Sequence, residues 1–132
     1  MIAPWVKNYI GIPFHKNGRD KSIGLDCWGL VQTVLREQYQ IVIPDFTYDD
    51  ASGFSDLPLL IETQKGLIAN EQVINPMPGD IVLMRFHNVL SHTGVYAGDN
   101  SVLHIERKKN AILEKLSSIR LRNRVEGVYR VL

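Results

Sequence analysis

The chain has 132 residues, of which 45% are hydrophobic and 22% are charged. This composition excludes disorder along the whole chain, and the length predicts a single domain over residues 1–132. The net charge of +1 gives no electrostatic support for binding to nucleic acid or to an anionic membrane. Cys27 is the only cysteine, which excludes an internal disulfide and every zinc site built from two or more cysteines.

The first part of the chain is predicted to be helical. A proline near the start and a glycine at the end predict a short helix over residues 4–11, and the glycine-containing stretch 12–25 predicts a loop. Asp26 is typical of a helix cap, and the apolar residues after it recur at helical spacing as far as about residue 38. Four residues form the predicted buried stripe of this helix: Cys27, Val31, Val34 and Leu35.

The second part of the chain is predicted to be mostly antiparallel strand. It is preceded by a short extended segment at residues 41–44, irregular chain at 45–53 and a weaker helical pattern at 57–69. A turn at residues 76–80 then opens a run of five predicted strands, at residues 81–86, 93–97, 102–105, 111–116 and 128–132. The separation of helices from strands indicates an α+β fold, with the N-terminal helices packed on one meandering C-terminal sheet.

Cys27 is the first candidate for chemistry. The Asp26 cap places it at the first helical position, where free backbone N–H groups and the helix dipole favour thiolate over thiol. We therefore expect the pKa of this thiol to lie below its usual value of about 8.5, as in cysteine nucleophiles. The alternative is that Cys27 is a small buried hydrophobic residue on the apolar stripe.

His92 is the second candidate, because a thiol nucleophile needs an imidazole that takes its proton and returns it to the leaving amine. His92 begins a predicted strand and is the favoured base. His87, in a polar loop before that strand, is an alternative base that is less firmly held. Either histidine could instead be a half-exposed side chain with no catalytic role.

His104 lies across the hairpin predicted at residues 98–100. A three-residue loop or a bulge would place His92 and His104 on the same face, as diagonal neighbours about 7–8 Å apart at the backbone. A two-residue loop alone would place them on opposite faces. On the same face, His104 can orient the His92 ring and fix its tautomer.

The same side chains allow a metal alternative, in which Cys27, His92 and His104 bind zinc together with His15 or His87. The sequence contains no closely spaced ligand pair, so no metal and no cofactor are predicted. No glycine pattern has the strand–loop–helix context of a nucleotide site, and no apolar run approaches the roughly 20 residues of a membrane span.

Several motifs resemble the NlpC-type family of papain-like cell-wall peptidases. The run GLDCWGLV at residues 24–31 is similar to the family's nucleophile motif, PGDIV at 78–82 to its first sheet strand, and SHTGVY at 91–96 to its histidine strand. The resemblance implies a papain-like fold and a thiol hydrolase with Cys27 as nucleophile, His92 as base and His104 as the third polar residue. It further implies peptidoglycan stem peptides as substrate, with γ-D-glutamyl bonds favoured.

Two positions depart from the family pattern. Phe14 stands where typical members have a tyrosine whose hydroxyl helps at the oxyanion site, and His15 is a candidate substitute. Trp28 stands where most members have serine, and we expect its indole to line the cleft wall rather than to fill the core. Asp26 and Ser91 complete the candidates for oxyanion or substrate contacts.

A narrower resemblance is to the tail-associated members of the family encoded by phages and prophages. It rests on the runs PF at residues 13–14, GRD at 18–20, CWGLV at 27–31, IPDF at 43–46 and GVYRV at 127–131. It implies a tail-tip component with tail proteins as partners, made in the bacterial cytoplasm without a signal peptide and acting on the host cell wall. The alternative is a weak or inactive tail assembly module that keeps the same fold.

Overall fold

The computed structural model describes residues 1–45, 71–86 and 89–131. A 3₁₀ helix spans Pro4–Asn8 and one α-helix, α1, spans Cys27–Tyr39. The strands are β1 (Arg19–Asp20), β2 (Gly24–Leu25), β3 (Glu71–Gln72), β4 (Ile81–Phe86), β5 (Val89–Gly98), β6 (Ser101–His104), β7 (Ile112–Lys115) and β8 (Val125–Arg130). The helix predicted at residues 57–69 and the alternative base His87 lie outside the described residues.

Strands β3 to β8 form one antiparallel sheet in the order β3-β8-β4-β5-β6-β7. The predicted meander is therefore correct for β4 to β7 and wrong for β8, which returns to pair with β4. The five predicted strands correspond to β4–β8, and β4 has the predicted bounds. The two-residue strands β1, β2 and β3 were not predicted, because so short a segment shows no alternation.

Helix α1 packs against β5, and this contact carries the main core. The predicted stripe is buried, with Val31 and Val34 fully inaccessible to solvent. The predicted cap is confirmed, since the side chain of Asp26 accepts a hydrogen bond from the backbone N–H of Gly29. The helix ends at Tyr39 and is capped by Gln40, which adopts the left-handed conformation. These features fix the first turn of α1 beside the sheet.

A second apolar cluster packs on the sheet face away from α1 and includes Val82, Tyr96, Val102 and Leu121. The residues of β5 alternate between the two faces, with Val95 in the main core and Tyr96 in this second cluster. No described helix is long and apolar enough to cross a membrane.

The β5–β6 hairpin sets the relative positions of the two candidate histidines. Its two-residue turn consists of Asp99 and Asn100, both with positive φ. The register shifts between Tyr96 and Gly98, which leaves one extra residue as a bulge. The bulge restores the pairing of Gly94 with His104, and the histidines therefore share a face despite the two-residue turn.

Candidate active site

Cys27 occupies the first position of α1, as predicted. The Oδ1 atom of the preceding Asp26 accepts the Gly29 N–H at 2.7 Å and is 2.6 Å from Nη1 of Arg19. This carboxylate is buried, and burial raises its pKa against the opposing charge of Arg19. Asp26 thus fixes the start of the helix that presents the thiol.

Cys27 is buried, and the residue is only 8% exposed. Burial raises its pKa to about 11, the negative charge of Asp26 adds to the rise, and the backbone and side chain of Thr93 oppose it. The direction is opposite to the one predicted from the helix N-terminus, because the cost of burying a thiolate exceeds the local benefit. In the resting protein Cys27 is a neutral thiol lying against Thr93, the residue that follows His92.

His92 and His104 are brought together by the hairpin register. Nε2 of His92 is 2.9 Å from Nδ1 of His104, and both side chains are buried. The ring of His92 stacks on Phe86, with ring centroids 4.7 Å apart. The guanidinium of Arg124 also lies over the Phe86 ring, 4.8 Å from its centroid. The His92 ring is therefore held by a hydrogen bond at one edge and by an aromatic face.

Both imidazoles are neutral near pH 7. Burial lowers the pKa of His92 well below its usual value, and the nearby His104 and Arg120 lower it further. Burial also lowers the pKa of His104, although the neighbouring carboxylates of Glu114 and Glu106 oppose the shift. A neutral imidazole keeps one ring nitrogen free of a proton, which is the state that a general base requires.

Three further charged residues extend this site and were not predicted from the sequence. Oε1 of Glu114 is 3.0 Å from Nε2 of His104, and Arg120 ion-pairs with Glu114 at 2.8 Å. Arg120 also pairs with Glu106. No local sequence signal identifies Glu114, because its approach to His104 depends on the register of β6 with β7, in which Val102 opposes Glu114 and His104 opposes Ile112.

Trp28 does not line a cleft, and that prediction is wrong. Its side chain is 2% exposed and belongs to the main core. The indole Nε1 donates a hydrogen bond to the carbonyl oxygen of Pro44 at 3.1 Å. An indole buried with its N–H satisfied is a packing element, so Trp28 supports α1 from within the core.

The remaining candidates surround the Cys27 turn and the start of β5. Phe14 is half-buried against the main core and forms a parallel bridge with Leu25. His15 is exposed, and its Nδ1 lies 3.1 Å from the carbonyl oxygen of Lys16. Ser91 is half-buried at the bulge where the β4–β5 register shifts. Bulges of this kind re-aim neighbouring side chains, here beside His92.

Among the described residues, His104, Glu106 and Glu114 form a group whose ligand atoms all lie within 4.8 Å of one another. This group differs from the cysteine–histidine set considered from the sequence. Arg120 pairs with both of its carboxylates, and a cation would have to compete with that guanidinium. The arrangement is better suited to holding His104 than to holding a metal ion.

The chain is similar to several known proteins. The sequence profile of the NlpC/P60 family matches residues 11–130. The murein DD-endopeptidase MepS/murein LD-carboxypeptidase of Escherichia coli K12 is 27% identical over 122 residues, covering 92% of this chain and 57% of that protein. The gamma-DL-glutamyl hydrolase of Bacillus subtilis 168 is 28% identical over 131 residues, covering 98% of this chain and 28% of that protein. The chain thus spans little more than half of the first relative and under a third of the second.

A solved structure has the same fold. It is an NLP/P60 family protein of Staphylococcus aureus Mu50, described as similar to lipoprotein, with a TM-score of 0.69 and 19% identity. The match covers 96% of this chain and 39% of that one. This likeness confirms the predicted α+β, papain-like fold of the NlpC type.

Proposed function

The chain belongs to the NlpC/P60 family, and from this premise we propose that it is a cysteine peptidase that hydrolyses amide bonds in peptidoglycan stem peptides. One observation carries the proposal: the base candidate His92 is hydrogen-bonded to His104, while the next residue, Thr93, lies against the Cys27 sulfur. Thiol hydrolysis requires an oriented imidazole within reach of the nucleophile, and the contact of Thr93 with Cys27 supports assigning that role to the adjacent His92.

The charge states suggest how the reaction starts. Cys27 and His92 are both neutral at rest, so we propose that His92 removes the thiol proton as the sulfur attacks the substrate carbonyl. The N–H of Cys27, which has no acceptor within the helix, then stabilises the oxyanion. His92 returns the proton to the leaving amine, and water hydrolyses the thioester to free the thiol.

The γ-D-glutamyl bond of the stem peptide is our favoured cleavage site. Its support is the family resemblance of residues 24–31 and the similarity to a protein named gamma-DL-glutamyl hydrolase. The other relative is named as a DD-endopeptidase and an LD-carboxypeptidase, which makes those bonds the competing sites.

A role at a phage or prophage tail tip is the narrower proposal. Its support is the resemblance of the runs at residues 13–14, 18–20, 27–31, 43–46 and 127–131 to tail-associated members of the family. Immunoblotting of purified particles from the host strain tests it. Particles that lack the chain, beside a positive cell lysate, would contradict it.

A catalytically weak tail module is the second candidate. It is favoured by the pKa of Cys27, raised to about 11 by burial, and by the lack of a hydroxyl group on Phe14. This module would bind peptidoglycan and cleave it slowly or not at all.

Digestion of purified sacculi decides between these functions. The chain is incubated with sacculi, and the released fragments are identified by mass spectrometry, with Cys27→Ala as the matched control. We expect the wild type alone to release fragments ending at D-glutamate. Release of fragments cut at another bond would move the cleavage site, and binding without release by either protein would favour the weak module.

A further inference from the structure

Glu114 contacts His104, and Arg120 and Ser118 hold its carboxylate in place. Its Oε1 lies 3.0 Å from Nε2 of His104, and Arg120 bonds to both carboxylate oxygens, through Nε at 3.0 Å and Nη2 at 2.8 Å. The hydroxyl group of Ser118 donates a hydrogen bond to Oε2 of Glu114 at 3.2 Å. The hydrogen bonds from Arg120 lower the pKa of Glu114 to about 2, and the carboxylate is ionised at any ordinary pH. An ionised carboxylate can only accept hydrogen bonds.

The acceptor role of Glu114 determines which nitrogen of His104 carries the proton. Because Glu114 can only accept, Nε2 of His104 must carry the proton in their hydrogen bond. Burial keeps His104 neutral near pH 7, which leaves its Nδ1 without a proton. Nδ1 lies 2.9 Å from Nε2 of His92 and must accept from it. The proton of neutral His92 is thereby on Nε2, and its Nδ1 is bare.

We propose that Glu114 is a positioning residue that sets the tautomers of both His104 and His92, so that His92 presents a bare Nδ1 as the base. Its importance for catalysis rests on the function proposed above. Without a fixed acceptor at Nε2 of His104, the reverse arrangement makes the same number of bonds between the rings. His104 would then donate from Nδ1 to Nε2 of His92, and the proton of His92 would occupy Nδ1, the nitrogen that must receive the thiol proton.

Glu106 provides the matched control. It has the same carboxylate and pairs with the same Arg120, but no hydrogen bond joins it to either histidine among the described residues. Glu114→Gln keeps the size of the side chain and replaces an obligate acceptor with a group that can also donate. Glu106→Gln makes the same chemical change at a neighbouring carboxylate that is close to His104 but has no hydrogen bond to it among the described residues.

The test is long-range ¹H–¹⁵N correlation spectroscopy of ¹⁵N-histidine-labelled protein at about pH 8, which shows the protonated nitrogen of each neutral ring. Single histidine substitutions assign the four rings. In the wild type we expect the proton on Nε2 of both His92 and His104. A wild-type His92 with its proton on Nδ1 would overturn the proposal, whether or not the variants fold.

In folded Glu114→Gln protein, we expect a measurable population with Nδ1 protonated in both rings, whereas Glu106→Gln keeps the wild-type tautomers. Unchanged tautomers in Glu114→Gln, or the same change in both variants, would contradict the proposal. We also expect kcat to fall at least about tenfold in Glu114→Gln with KM nearly constant, since the wrong tautomer is costly in related triads. If the wild type cleaves no peptidoglycan, the proposed function fails, while the spectra still decide the tautomers.

Discussion

His92 and His104 lie on adjacent strands two residues out of register, and this offset brings their ring nitrogens to 2.9 Å. The same offset recurs one strand further, where Glu114 on β7 approaches His104 on β6. A diagonal line of three polar side chains therefore crosses β5, β6 and β7 on one face. Each member is within hydrogen-bond distance of the next, and Thr93, the residue after His92, lies against the Cys27 sulfur.

Thiol alkylation tests the state of Cys27. Because burial raises the thiol pKa to about 11, we expect iodoacetamide to label the folded chain at pH 7.5 at least about tenfold more slowly than a free-cysteine peptide. Labelling followed by mass spectrometry measures the rate, and the denatured chain, with its one cysteine, is the control. If the folded chain were labelled faster than the peptide, the thiol pKa would instead be lowered, as expected from the position of Cys27 at the start of the helix.

The buried histidines predict a loss of stability in mild acid. The folded-state pKa values of His92 and His104 lie below the usual value, so the unfolded chain binds protons first as the pH falls. Their contribution is present above about pH 6.5 and is lost below it, with a slope approaching about 1.4 kcal/mol per pH unit for each such proton. Urea unfolding between pH 7.5 and 5.5 measures this slope. We expect His92→Gln to reduce it and His15→Gln, at an exposed site, to leave it unchanged.

Replacing Trp28 separates packing from substrate contact. Trp28→Ser removes a buried indole, and we expect the free energy of unfolding to fall by about 3 kcal/mol or more. Trp28→Phe keeps most of the volume but loses the hydrogen bond to Pro44, which predicts a smaller cost of about 1 kcal/mol. Urea unfolding followed by circular dichroism measures both. A Trp28→Ser protein that kept its stability but changed its substrate preference would contradict the packing role of Trp28 and favour contact with substrate.

Replacing Gly29 with alanine is expected to destabilise the chain, although helix propensity alone predicts that alanine would stabilise α1. Alanine favours a helix interior over glycine by about 1 kcal/mol. A methyl group at position 29, however, would overlap the carbonyl oxygen of Gly18, which is backbone and cannot move aside easily. We expect Gly29→Ala to destabilise the chain by at least about 1 kcal/mol. Arg36→Ala, on the exposed side of α1, is the control and should change stability by less than about 0.5 kcal/mol. A stabilised Gly29→Ala protein would show that the loop at Gly18 can yield.

Local signals explain what the sequence made predictable. The cap and stripe of α1 follow from the side chain of Asp26 and from helical spacing, and β4 follows from a continuous apolar run after a turn. The hairpin turn fixed the histidine pairing once its bulge was allowed, because both strands are tied to the same short connection.

The remaining features depend on tertiary packing. Glu114 could not be placed because the β6–β7 connection is long enough to leave the register of the two strands open. The burial of Trp28 depends on Pro44, which is distant in sequence. The thiol pKa followed burial rather than the helix dipole, and burial is decided by the whole fold. The prediction of one domain over residues 1–132 stays a prediction.

Because of the bulge in β5, the position of His104 at the active site depends on the strand pairing near the turn of the hairpin. The turn at Asp99 and Asn100 lies about 20 Å along the strand from His92, yet it decides which face His104 presents. A peptide tag or label grafted into this turn is compatible with the histidine pair only if it leaves the strand pairing and the bulge intact. Loss of the single bulged residue, with nothing near the thiol altered, would turn His104 to the opposite face and disconnect the imidazoles.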